Sequence, residues 1–277
     1  MGTTLQGQKD KASAFSQLHL DPTILVLPNA WDVASAKIYE RKGFAAVGTT
    51  SAGIAASLGY PDGEYVPKHL LMETTKRITD HLAIPVTADI VNGYGSTYAE
   101  VLDTVRTIIE CGVVGINIED GLPNHTLEKI ESQSEKIRAI RQLADTLDIP
   151  LVINARIDTY WSQIGEPSIR QEQTIQRANT YLRAGADSIF IPSVSDPATI
   201  QTFVSMINGP INILAGPHSP CISELEQWGV SRVSFGSGPI RRIFTHIEAI
   251  ADEIASQGTY HTLTDPMPYS ELNHLSE

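Results

Sequence analysis

Residues 84–120, IPVTADIVNGYGSTYAEVLDTVRTIIECGVVGINIED, decide the fold. The segment opens with Ile84–Ile90, a run that is mostly apolar and does not alternate, as in strands buried on both faces of a parallel sheet. Thr97 then caps a helical stretch, YAEVLDTVRTIIECG, and a second apolar run, Val113–Glu119, follows. Together they make one strand–helix–strand unit. Each strand carries a carboxylate at its exit, Asp89 in the first and Glu119 in the second.

The same unit recurs on both sides. Six further runs, Ile24–Asn29, Ala45–Thr50, Pro150–Ile157, Ser188–Pro192, Ile211–Ala215 and Arg232–Phe235, bring the expected strands to eight. Helical segments lie between them, such as VASAKIYERKG behind the cap Asp32 and QEQTIQRANTYLRAG ending at Gly185. Strict alternation repeated eight times favours a closed (β/α)8 TIM barrel over a doubly wound sheet. An extra N-terminal helix, KDKASAFSQLHL, is expected as a lid over the barrel bottom. A helix after the last strand, PIRRIFTHIEAIADEIASQG, runs into a polar tail. The expectation is a single barrel domain over 1–277, with 242–277 as a C-terminal helical extension.

Composition narrows the function. The 277 residues are 42% hydrophobic and 19% charged, enough for a large core. A net charge of −12 and no dense Lys/Arg run argue against nucleic acid, while a few local cations still allow a small anionic substrate. Cys111 and Cys221 are the only cysteines and have no ligand spacing. No run approaches the roughly 18 apolar residues of a membrane span. A cytoplasmic protein without a membrane partner is expected.

In a barrel of this class the loops after the strands build the site. Asp89 and Glu119 at such exits need a compensating partner, and a hard divalent cation such as Mg2+ suits few carboxylates plus water. Arg156 in NARID can hold an anionic group bidentately, or can pair with Glu119 or Asp158 instead. Asn154 shares its strand face. Asp120 points away from Glu119 and reads as a cap or loop residue. Thr50, Ser51 and Ala52 offer small side chains and backbone N–H groups. Asp62 in LGYPDG reads by itself as a turn residue. His125 and His218 read as solvent-facing loop residues.

Taken in order, PNAWD, TTSAGIAASLGYPDGE, ADIVNGYG, GINIED, NARID and AGADSIFIP resemble the isocitrate lyase and phosphoenolpyruvate mutase superfamily. The resemblance spans Leu25 to Arg241 and is specific at the level of the superfamily. It implies a Mg2+-dependent barrel acting on small anionic 2-oxo or 2-hydroxy acids through a pyruvate-like enolate. It also implies a homotetramer or homodimer that exchanges C-terminal helices. By position Asp89 matches the principal metal carboxylate, and Asp62 and Glu119 match carboxylates that hold metal-bound water. Arg156 matches the substrate-binding arginine, and Thr50–Ala52 match the segment whose backbone binds the pyruvyl group.

Three departures qualify what the resemblance implies. Val91 stands where the family's metal motif has a second acid. The stretch GLPNHTLEK lacks the cysteine that serves isocitrate-type lyases as general acid. Asn124 and His125 do not match the spacing of the mutase's gating-loop Lys and Asn. The expectation is therefore cleavage or decarboxylation of a 2-oxo acid, of the oxaloacetate decarboxylase type. Phosphoenolpyruvate mutase or phosphonopyruvate hydrolase chemistry, and a binding barrel that has lost its chemistry, are the alternatives. A Schiff-base aldolase is disfavoured because no lysine occupies a strand exit.

Overall fold

The computed structural model describes residues 4–275. Its strands are β1 (Leu25–Leu27), β2 (Asn29–Ala30), β3 (Val47–Thr49), β4 (Val86–Asp89), β5 (Gly115–Glu119), β6 (Val152–Arg156), β7 (Ser188–Ile191), β8 (Ile211–Leu214) and β9 (Arg232–Ser234). All pair in parallel, in the order β1-β9-β8-β7-β6-β5-β4-β3-β2.

The nine segments fill eight strand positions, because the first expected run is split. Pro28 lacks an N–H to donate to a ladder, and at that point the run passes from pairing with β9 to pairing with β3. The Asn29 side chain holds the seam together. Its Nδ2 donates to Thr49 O at 2.9 Å, and its Oδ1 accepts from the Phe235 and Gly236 amides at 2.9 and 2.8 Å. The barrel is thus closed through one broken strand.

Helix α1 (Leu5–Leu18) covers the bottom, as expected. Gln8 Nε2 donates to Ile109 O and Val113 O at 2.7 and 3.0 Å. Buried Phe15 packs at the start of β5, where a Cβ on Gly115 would lie only 2.7 Å from its ring. Two helices, α3 (Ser51–Leu58) and α4 (Lys68–His81), separate β3 from β4, and α3 starts directly at the strand exit. The long C-terminal helix runs from Gly238 to Gln257, within one residue of the expected stretch at each end. It leaves Ile243, Phe244, Ile247 and Ile254 41–52% exposed. Its Glu253 accepts from Thr259, His261 and Thr262, tying down the turn that follows. Among the described residues no helix is long and apolar enough to cross a membrane.

Candidate active site

A cavity of about 500 Å3 opens at the C-terminal ends of the strands. Its lining brings together Asp62, Asp89, Glu119, Arg156 and the Thr50–Ala52 segment, from the exits of β3 to β6. Asp89 and Glu119 end adjacent strands and face one lumen. The opposite wall, from β7 and β8 and the loop after β6, carries Trp161, Phe190, Pro192 and Leu214. One side of the cavity is acidic and the other apolar.

Asp89 is the centre of the acidic side. Ser51 donates to its Oδ2 through both the hydroxyl, at 2.9 Å, and the amide, at 3.3 Å, while the Val91 amide reaches Oδ1 at 3.3 Å. Burial pushes the Asp89 carboxyl above its ordinary range, and Arg156 and Ser51 only partly oppose that. Asp62 adds a second negative charge and accepts from the Ser51 hydroxyl at 3.3 Å. Asp62 is therefore a site residue as well as a turn residue.

Thr50 caps α3, its hydroxyl accepting from Gly53 N at 3.3 Å. The Thr50 amide is used by Ala30 O, and the Ser51 amide by Asp89. Ala52, in the first helical turn, has no acceptor for its N–H among the described residues, and lines the cavity. A helix N-terminus with an uncommitted amide favours negative charge beside it.

Arg156 makes the ion pairs read as its structural alternative, with both Glu119 and Asp158. Its Nη1 pairs with Glu119 Oε2 at 2.8 Å, while Nε and Nη2 grip Asp158 at 2.6 and 3.0 Å. These bonds use three of the five guanidinium N–H groups and leave two for a ligand. Burial disfavours the charge, but Glu119 and Asp158 outweigh it and hold the Arg156 pKa above its ordinary value. Glu119 is pushed up to about 8, by burial first and then by Asp158, Asp89 and Asp62, against the pull of Arg156. Trp161 and Phe190 stack over Arg156, with ring centres 5.4 and 5.9 Å from Cζ.

One expected placement is corrected and another is sharpened. Asn154 is fully buried and does not line the cavity; its Nδ2 donates to Asn117 Oδ1 at 2.8 Å. Strand alternation put it on the right face, but two residues before Arg156 is one layer deeper, about 6–7 Å down the strand. Asn117 lines the floor instead. Asp120 is a loop residue off the cavity lining, as read, but it is fully buried: it accepts from Arg177 Nη1, Tyr181 OH and Asp158 N at 2.9, 2.8 and 2.9 Å. It anchors the backbone of Asp158, which in turn orients Arg156.

Three other features were missed. Arg232 fills the lumen beneath the site, fully buried, with Asn117 Oδ1 and His19 Nε2 at 3.3 and 3.4 Å. Burial lowers its pKa to about 9. Its position at the start of a strand hid it, since strand entries read as structural. Val91 has φ +53°, a left-handed conformation unusual for a β-branched residue. His125 is exposed, as read, and the part missed is that it also lines the cavity.

Val91 yields a prediction. Aspartate tolerates the left-handed region better than valine, and position 91 borders the Asp89 carboxylate. Val91→Asp is expected to tighten Mg2+ binding by about 10–100-fold, the scale of an outer-shell partner, without lowering the melting temperature. Calorimetric Mg2+ titration of the two proteins checks this.

Among the described residues no group of three or more His, Cys, Asp or Glu is arranged to wrap a metal directly. Mg2+ keeps several waters and takes only one or two carboxylates directly. Asp89 with Asp62 and Glu119 nearby fits that demand, and the cavity lining sets five carboxylates, with Glu64 and Asp158, against a single guanidinium.

A parallel barrel with half-buried carboxylates and an open helix N-terminus at its C-terminal mouth has the architecture of a barrel enzyme. Comparison with known proteins makes the class specific. Residues 15–255 match the model of the phosphoenolpyruvate phosphomutase family, and the chain belongs to this family, within the isocitrate lyase and phosphoenolpyruvate mutase superfamily of carbon–carbon lyases and mutases. An uncharacterized Mycobacterium tuberculosis protein, Rv1998c, is 35% identical over 94% of each chain. Oxaloacetate decarboxylase of Pseudomonas fluorescens is 27% identical, over 94% of this chain and 89% of its own. A crystal structure from Burkholderia cenocepacia, provisionally assigned as a lyase/mutase, superposes with a TM-score of 0.90 at 29% identity, covering 97% and 96% of the two chains.

Proposed function

We propose that this protein is a Mg2+-dependent lyase that breaks a carbon–carbon bond of a small 2-oxo or 2-hydroxy acid and leaves a pyruvate enolate. Decarboxylation of oxaloacetate is the simplest case. The observation that carries the reading is the placement of half-buried Asp89 against the N-terminus of α3, beside the uncommitted Ala52 amide.

When bound at Asp89, Mg2+ would supply Lewis acidity toward the 2-oxo group and its carboxylate. The rest belongs to the chain. The Ala52 amide and the α3 N-terminus stabilise the oxygen on which negative charge develops. The two remaining N–H groups of Arg156 anchor a carboxylate, and Glu119 and Asp158 fix the orientation of the guanidinium. The apolar wall of Phe190, Leu214 and Trp161 keeps water from the departing carboxylate, so that CO2 leaves with its bonding electrons retained by the enolate. Carbon–carbon cleavage is favoured over carbon–phosphorus cleavage because, among the described residues, Arg156 is the only Lys or Arg lining the cavity and is already paired twice. A phosphonate dianion would need more cations.

Pyruvate release from oxaloacetate and calorimetric binding of oxalate, a mimic of the enolate, test the proposal. Saturable turnover and oxalate binding, both requiring Mg2+, are expected; a protein showing neither would be a binding barrel without this chemistry.

Metal binding should also depend on pH in a defined direction. Glu119 titrates at about 8 in the metal-free fold against an ordinary value of 4.5. A raised folded pKa contributes stability that is complete below 4.5 and lost as pH rises through about 8. Mg2+ requires the ionised carboxylates, so protons compete with it. The rise in melting temperature on adding Mg2+ is expected to be small at about pH 6 and larger at about pH 9. An increment independent of pH would contradict the role of this cluster.

A further inference from the structure

The hairpin after β5 holds a histidine in an unusual backbone conformation with its side chain on the cavity. The Leu122 amide donates to Thr126 O at 2.9 Å and the His125 amide to Leu122 O at 3.0 Å. That is the bonding pattern of a three-residue hairpin loop whose last residue is left-handed, a position usually given to Gly or Asn. Here it is His125, with φ +57°. The neighbouring Asn124 Oδ1 accepts from the Thr126 amide at 3.2 Å and also from its hydroxyl, so the tip is held from both sides.

The turn does not need an imidazole. His125 makes no side-chain hydrogen bond to the protein among the described residues, yet lines the cavity with Glu119 and Arg156. A backbone outlier kept at a cavity by a side chain that does nothing for the fold points to a role in the cavity. The other ionisable groups there, Asp62, Glu64, Asp89, Glu119 and Asp158, are carboxylates, apart from Arg156 and Tyr65. Arginine does not give up its proton, and the carboxylates surround the cation site. Imidazole is the side chain suited to exchange protons with both solvent and substrate near neutral pH.

We propose that His125 is a catalytic residue, the general acid that protonates C3 of the enolate. This rests on the enolate reading above. The imidazolium N–H bond breaks and a C3–H bond forms from the enolate electron pair; the C2 oxygen regains its carbonyl bond and pyruvate results. The neutral imidazole, on an exposed loop tip, is reprotonated by solvent. The reverse step removes a C3 proton from pyruvate.

Exchange of the pyruvate methyl protons in D2O with Mg2+, followed by NMR, reads this step without carbon–carbon cleavage. Wild-type protein is expected to exchange them. His125→Asn should slow exchange by about 100-fold or more, the usual share of a general acid or base. Its oxalate affinity should be unchanged, and its melting temperature should equal or exceed that of wild type, because Asn suits the left-handed position. Exchange at the wild-type rate in His125→Asn would overturn the proposal. So would wild-type protein that binds oxalate yet exchanges nothing. A variant that loses oxalate affinity and melting temperature together would make His125 structural. Wild-type protein that neither binds oxalate nor turns over oxaloacetate overturns the enolate reading itself, a separable result.

Discussion

Asp89→Asn is expected to abolish turnover while leaving the fold intact. The substitution keeps shape and an acceptor for the Ser51 hydroxyl but removes the charge at the centre of the acidic wall. Mg2+ affinity should fall by more than the roughly 10–100-fold that an outer-shell partner costs. Turnover should fall by about 1000-fold or more, the scale of removing a group that acts where charge develops. Stability should move the other way. Burial already holds the Asp89 carboxyl above its ordinary range, so its charge opposes folding in the metal-free protein. Near pH 8 metal-free Asp89→Asn should melt no lower than wild type, and Mg2+ should cease to raise its melting temperature. Loss of turnover with an unchanged Mg2+ response would remove Asp89 from the metal site.

The opposite pattern is expected one residue beyond Glu119. Asp120→Ala leaves the buried Arg177 guanidinium without its carboxylate, and leaves Tyr181 OH and the Asp158 amide without their acceptor. Breaking a buried pair in this way costs about 3–5 kcal/mol, which for a chain of this size is a fall of roughly 6–20 °C in melting temperature. Replacing both partners, Asp120→Leu with Arg177→Met, should recover much of that loss, since the cost lies mainly in the orphaned cation. Thermal melts of the single and double variants decide it. A double variant as unstable as Asp120→Ala would mean that packing, not the unpaired charge, dominates. Turnover should fall in both, because Asp120 holds the backbone of Asp158 and Asp158 holds two of the three protein-bound Arg156 donors.

These two carboxylates show how far the sequence could be read. Asp89 and Glu119 were legible because each ends an apolar run, and an ionisable group at such an exit is conspicuous. Asp120 was not, because alternation shows only that it faces away from Glu119. Outside this barrel is the helical layer, and whether an outward residue meets solvent or a buried arginine depends on Arg177, 57 positions later. His125 was read as solvent-facing because a histidine in a polar loop has no periodicity to place it. The hairpin that turns it onto the cavity is held by its own backbone hydrogen bonds.

By itself the sequence determined the alternation of eight parallel strands with helices, the barrel they imply, and the acidic exits of β4 and β5. Those features rest on local patterning, which a chain carries before it folds. Tertiary structure alone decided which layer each inward residue occupies. Asn154 lies beneath the cavity, Asn117 on its floor, and Arg232 reaches across the lumen to Asn117 from 115 residues away. It also decided that Pro28 splits the closing strand and that Arg156 is shared between Glu119 and Asp158. The physical reason is closure: once the strands form a ring, depth along each strand and contacts across the lumen depend on the stagger between strands, which no single segment encodes.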